Sequence, residues 1–223
     1  MKRILEIGGV VAGVVLIAFG VAAIVLAHNG KNTIASELKF QQITGTPDMT
    51  PTAIKAEVAS QPWAKGYALP TCSVAGVAIT NGDQARCFGQ YMKVHTLEAT
   101  QGVPYALMGR YVAAPDAPKS ALTADGATSD PKYAQLDPKT QQPVENGARN
   151  IWVTYTSLTG ALNASYMAEQ MANFGIVVGI ALLLSGLGFV ILALGGALEN
   201  QWAFAKKPAA ENSVDSKATP AGV

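Results

Sequence analysis

Two stretches interrupt the otherwise mixed pattern of polar and apolar positions. Residues 8–27 read GGVVAGVVLIAFGVAAIVLA, without a charged or strongly polar side chain. Residues 174–198 read FGIVVGIALLLSGLGFVILALGGAL, broken only by Ser185. A helix rises about 1.5 Å per residue, so roughly twenty apolar residues cover a hydrocarbon layer of about 30 Å. Both stretches meet that length. A core helix of a soluble protein keeps a polar face, and neither stretch has one. The pattern predicts transmembrane helices at 8–27 and 174–198. A secretory leader would also follow Lys2 and Arg3 and end at Val25-x-Ala27. Its apolar core, however, usually runs about 7–15 residues, so an uncleaved anchor is the expectation.

Between the two stretches the periodicity predicts a largely helical, loop-rich segment, residues 28–173. Ile34, Leu38 and Gln41 share a face, which carries the first helix a few turns past the apolar run. Thr46-Pro47 breaks it. Thr50 then serves as N-cap and Pro51 as first helical residue of a short helix to about Ser60, closed by Gln61-Pro62. Phe88, Met92 and His95, with Cys87, Tyr91 and Val94, follow a helical repeat between the Asn81-Gly82 turn and the Gly102 stop. Residues 113–147 hold most of the turn chemistry, including Asp125-Gly126 and the Asp-Pro-Lys repeats at Asp130 and Asp137, and read as a long irregular surface excursion. From Ile151 a helical pattern resumes, and no proline separates it from the second apolar run. One helix of roughly fifty residues is expected.

Short flanks set the predicted orientation. Lys2 and Arg3 precede the first run, and Lys206 and Lys207 follow the second, so the positive-inside rule puts both termini in the cytoplasm. Residues 1–7 are then a cytoplasmic N-terminus and 199–223 a disordered cytoplasmic tail, with Trp202 and Phe204 as an interfacial anchor. The only cysteines, Cys72 and Cys87, fall in the segment this places outside. A disulfide is expected there, closing a loop of about 15 residues and worth roughly 3 kcal/mol. The fold class is thus mainly α, a two-span membrane hairpin with an extracytoplasmic domain held by one disulfide.

Glycines recur in both runs with the same spacing: Gly9, Gly13 and Gly20 in the first, Gly175, Gly179 and Gly186 in the second. Small residues four apart let helices approach closely in lipid. Because the helices would run antiparallel, the two rows are expected not to align in simple register, which leaves a homodimer contact as open as packing within the chain.

Composition narrows function mainly by exclusion. Charged residues make up 14% of the chain, and 16 Lys plus Arg balance 15 Asp plus Glu. That leaves no broad basic face for nucleic acid. The spans contain no ionisable side chain on which to build an ion or proton path. No nucleophile elbow, phosphate loop, dinucleotide fingerprint or zinc-protease motif occurs. Only two histidines are present, His28 and His95, and the loop aspartates lack calcium-site spacing. Met167 and Met171, one turn apart, read as packing residues. No metal, cofactor or catalytic residue is expected.

The segments TPDMTP at 46–51, PTCSVAG at 70–76, ARCF at 85–88, YMKVH at 91–95, MGRY at 108–111, ARNIW at 148–152 and FGIVVGIALLL at 174–184 carry a resemblance, as does the opening MKRILEIGGVVAGVVLIAFG. With them the chain resembles a family of small two-span actinobacterial membrane proteins. The match covers nearly everything but the tail. Members are often catalogued as aromatic ring-opening dioxygenases, so the resemblance implies that activity. Such chemistry usually takes iron held by two histidines and a carboxylate. From the residues alone the expectation is a non-catalytic accessory or structural protein of the bacterial cell membrane, its outer domain binding a protein partner or a second copy. The alternative is a small-ligand sensor using Tyr91, His95, Trp152, Tyr155 and Tyr166 as its surface.

Overall fold

The computed structural model describes residues 2–195. Residues 196–198 of the second apolar run, the Trp202 and Phe204 anchor, Lys206, Lys207 and the tail lie outside the described residues. Among those described, four α-helices dominate: α1 (Lys2–Phe40), α2 (Pro51–Glu57), α3 (Gly82–Ala99) and α4 (Gly147–Leu194). Helices α1 and α4 are long and apolar enough to cross a membrane. The described residues divide into two compact units: residues 2–24 with 177–195, and residues 25–176.

In the first unit α1 and α4 run antiparallel with their backbones in contact. A methyl group added at Gly13 would lie 2.7 Å from the Gly186 carbonyl oxygen, and one at Gly186 the same distance from the Gly13 oxygen. One turn pair further on, Gly20 and Gly179 face each other, a methyl on either meeting the other's oxygen at 2.7–2.8 Å. Ile17, Ile24, Leu183 and Val190 close over the flanks. The expected misalignment of the two rows does not arise. Gly13 and Gly20 are seven residues apart, as are Gly179 and Gly186, and seven residues is nearly two turns on either helix. Reversing one helix therefore preserves the match. Gly9 and Gly175 are half-buried.

The second unit holds two apolar clusters, the larger of which gathers all four helices. Leu38 from the end of α1, Ile54 and Val58 from α2, and Ala85, Phe88, Tyr91 and Val94 from α3 meet there with Leu162 of α4. Helix α2 starts as its sequence dictates: the Thr50 side chain accepts from Ala53 N–H, and Pro51 occupies the first turn. It ends at Glu57, earlier than the pattern suggested, with Val58 as C-cap at φ −92° and ψ 5° and its side chain buried. Asn81 caps α3 through Gln84 N–H, and the Glu169 carboxylate of α4 accepts from Gly82 N–H. That acceptor satisfies one donor the first turn would otherwise leave bare. Gly82 also lets α4 approach closely, since a methyl there would lie 2.7 Å from Tyr166 Cα.

Cys72 and Cys87 form a disulfide that ties the segment before α3 to α3 itself. The Tyr91 hydroxyl donates to the Cys72 carbonyl and fixes the same segment a turn further on. Residues 43–45 pair with residues 74–79 through single bridges, including Gly76 N–H to Gly45 O and Ile79 N–H to Ile43 O.

The excursion at 113–147 is more ordered than its turn-rich composition suggested. Isolated bridges join Tyr111 to Thr128 and Glu145, Ala113 to Ala134, and Leu136 to Pro143. Asp125 holds it together, accepting from the Thr123 hydroxyl, the Gly109 and Ala127 N–H groups and the Asn146 amide. Burial alone would raise the Asp125 pKa, but those hydrogen bonds outweigh it and hold the carboxyl below its ordinary range. Asp130 and Asp137 each close a turn, accepting from Lys132 N–H and from Lys139 and Thr140 N–H. The packing role expected of Met167 and Met171 is not observed: they are 58% and 71% exposed.

Candidate functional site

The five aromatic and histidine residues singled out from sequence do not converge on one surface. Tyr91 is fully buried in the main core. Trp152 belongs to a second cluster with Leu97 and Met108, where its indole N–H donates to Val103 O at 2.9 Å. Tyr155 stacks edge-on against it, ring centres 5.5 Å apart. Tyr166 pairs with Arg86, whose guanidinium lies 4.6 Å from the ring centre and donates to the hydroxyl at 2.7 Å. A shallow groove of about 600 Å³ lies elsewhere, lined by Lys55, Val58, Pro62, Lys65, Tyr67 and Leu69 among others. None of the five lines it.

His95 is different, because the fold brings partners to it that the sequence kept far apart. Asp48 sits in the turn before α2, directly ahead of Met49, 2% exposed, and the Thr50 cap. Glu57 is the last residue of α2, flanked by buried Ile54 and Val58. His95 and Glu98 lie one turn apart on α3, between buried Val94, Thr96 and Leu97. The backbone at all four positions is therefore held by core residues beside it. One donor atom each from Asp48, Glu57 and His95 falls within 4.8 Å of the others.

His95 Nε2 is 2.7 Å from Asp48 Oδ2. The ring nitrogen is shielded by protein, yet no acceptor lies along its N–H direction. The two facts agree if the carboxylate sits beside the imidazole rather than in line with its N–H, which makes the contact close without being an aligned hydrogen bond. Burial would raise the Asp48 carboxyl. Hydrogen bonds from Thr46 and from its own backbone, with His95 nearby, bring it below the usual carboxylate range. Glu57 moves the other way: burial first, then the nearby Glu98 carboxyl, push it up. The Tyr91 hydroxyl is also raised, by burial and then by the charge of Asp48.

Asp48, Glu57 and Glu98 were not singled out from sequence. Only His95-x-x-Glu98, two polar ligand types one turn apart on a helix, gave a local hint. The chain matches no protein-family model, no curated protein and no solved structure.

Proposed function

We propose that this chain is a non-catalytic, membrane-anchored accessory protein of a bacterial envelope, with its outer helical domain binding a protein partner. The membrane part rests on two long apolar helices bracketing a domain whose two cysteines are joined. Disulfides persist in oxidising compartments. With the basic flanks, that supports an extracytoplasmic domain and cytoplasmic termini. The resemblance to two-span actinobacterial proteins agrees with this layout.

The partner part rests on one observation. Met167, Met171 and Phe174 recur at helical spacing on α4 and are 58%, 71% and 70% exposed. Large apolar side chains lined up this way favour being covered, and methionine adapts to whatever covers it. The stripe leads directly into the apolar run of the same helix, so the covering partner is a membrane protein's helix at the level of the outer headgroups.

A photoreactive residue at position 167, with one at Lys139 as reference, tests the partner in native membranes. A discrete protein adduct at 167 alone is the expected result. Lipid adducts only, or identical adducts from both positions, would defeat the partner-binding reading. Orientation is checked by a membrane-impermeant thiol reagent on a cysteine placed at Ser120 in intact cells. Labelling only after lysis would overturn it.

A further inference from the structure

Asp48, Glu57 and His95 come from three separate segments, and their donor atoms meet within 4.8 Å. Ligands of one first-row ion, bound at about 2.0–2.2 Å, stand roughly 2.8–3.5 Å from each other in cis-octahedral or tetrahedral geometry. The 2.7 Å separation of His95 Nε2 and Asp48 Oδ2 is close to that spacing. The nitrogen is enclosed and has no aligned acceptor, as it would in converging with the carboxylate on a third point.

Charge gives an independent reason. Two carboxylates, from Asp48 and Glu57, meet a single imidazole. Among the described residues no lysine or arginine lies within 4.0 Å of either carboxylate, the lysine pair seen being Lys31 with Glu169. Glu98 lies near enough to Glu57 to push its carboxyl up, after burial as the larger cause. Like charges gathered this way cost energy unless a proton or a cation intervenes.

We infer that Asp48, Glu57 and His95 form a binding site for one divalent transition-metal ion of the zinc class. An imidazole nitrogen among the ligands disfavours calcium and magnesium, which take oxygen shells. The ion would fasten the turn before α2 and the end of α2 to the middle of α3. This inference does not rest on the partner-binding proposal and can fail or stand alone.

The test uses the full chain without a histidine tag, purified in mild detergent and stripped with a chelator. Zinc titration followed by calorimetry, and cobalt titration followed by visible absorption, are the readouts. The expected result is one ion per chain, with affinity lowered at least tenfold in His95→Gln and in Asp48→Asn, and unchanged in Asp137→Asn. An excess of calcium should not displace the zinc. Circular dichroism of each variant separates lost ligation from lost folding. As a second measurement on the unmodified chain, zinc should slow amide exchange in residues 46–57. Absence of a stoichiometric site, retention of binding in the His95→Gln/Asp48→Asn double variant, or equal competition by calcium would each overturn the inference.

Discussion

Replacing Gly186 with alanine should weaken the α1–α4 pair, while the same change at Gly188 should not. Alanine is the better helix former by about 1 kcal/mol, so on propensity alone both changes stabilise. The contacts decide otherwise at position 186. The added methyl would lie 2.7 Å from the Gly13 carbonyl oxygen and 2.7 Å from Ile17 Cγ1, whereas at Gly188 it meets nothing within 4 Å. A comfortable carbon–oxygen contact is near 3.3–3.6 Å, so the helices must part by more than about half an ångström. Overpacking of this kind costs about 1–3 kcal/mol and outweighs the propensity gain. Thermal unfolding in a fixed mild detergent, followed by ellipticity, reads the difference. Gly186→Ala should lower the midpoint and Gly188→Ala hold or raise it. Equal midpoints would refute the idea that glycine backbone contact sets the helix separation.

Reducing Cys72–Cys87, or the paired Cys→Ser variant, should cost about 3 kcal/mol through the 15-residue separation it spans, seen as a lower midpoint with reductant. Asp125→Asn should loosen residues 105–146, costing about 1–3 kcal/mol because buried donors lose an acceptor; amide exchange there should quicken, with the α3 core unaffected. The same carboxyl predicts an acid limb. Its folded pKa lies below the ordinary value of 3.8, so its contribution is complete above that value. It drains as pH falls through the lowered folded pKa, and the midpoint-versus-pH slope should be shallower in Asp125→Asn. Trp152→Phe removes the hydrogen bond to Val103 O at about 1 kcal/mol by the same unfolding assay.

The parts of the fold written in local chemistry were legible. Thr50 with Pro51, and Asn81 with Gly82, announce helix starts because capping is decided within four residues. The absence of proline after Gly147 let one 48-residue helix be foreseen. What escaped depends on distance along the chain. Asp125 and Asn146 are 21 residues apart, and each bridge in the excursion is a single residue long, too short to leave an alternating pattern. The Asp48, Glu57 and His95 cluster was hidden for the same reason, since each residue is ordinary in its own segment. Tyr91 and Trp152 offer little surface because they are large, mostly apolar side chains that the cores bury.

Asn146 stands at the seam between the excursion and α4. Its amide donates to Gly109 O and Asp125 Oδ2, and its own side-chain oxygen accepts from Ala148 N–H. Anyone trimming the excursion to make a smaller reagent would therefore unravel the start of the longest helix in the chain. Epitope tags or reporter peptides belong instead at the solvent-facing tip of residues 138–141, where the backbone answers only to its own turn.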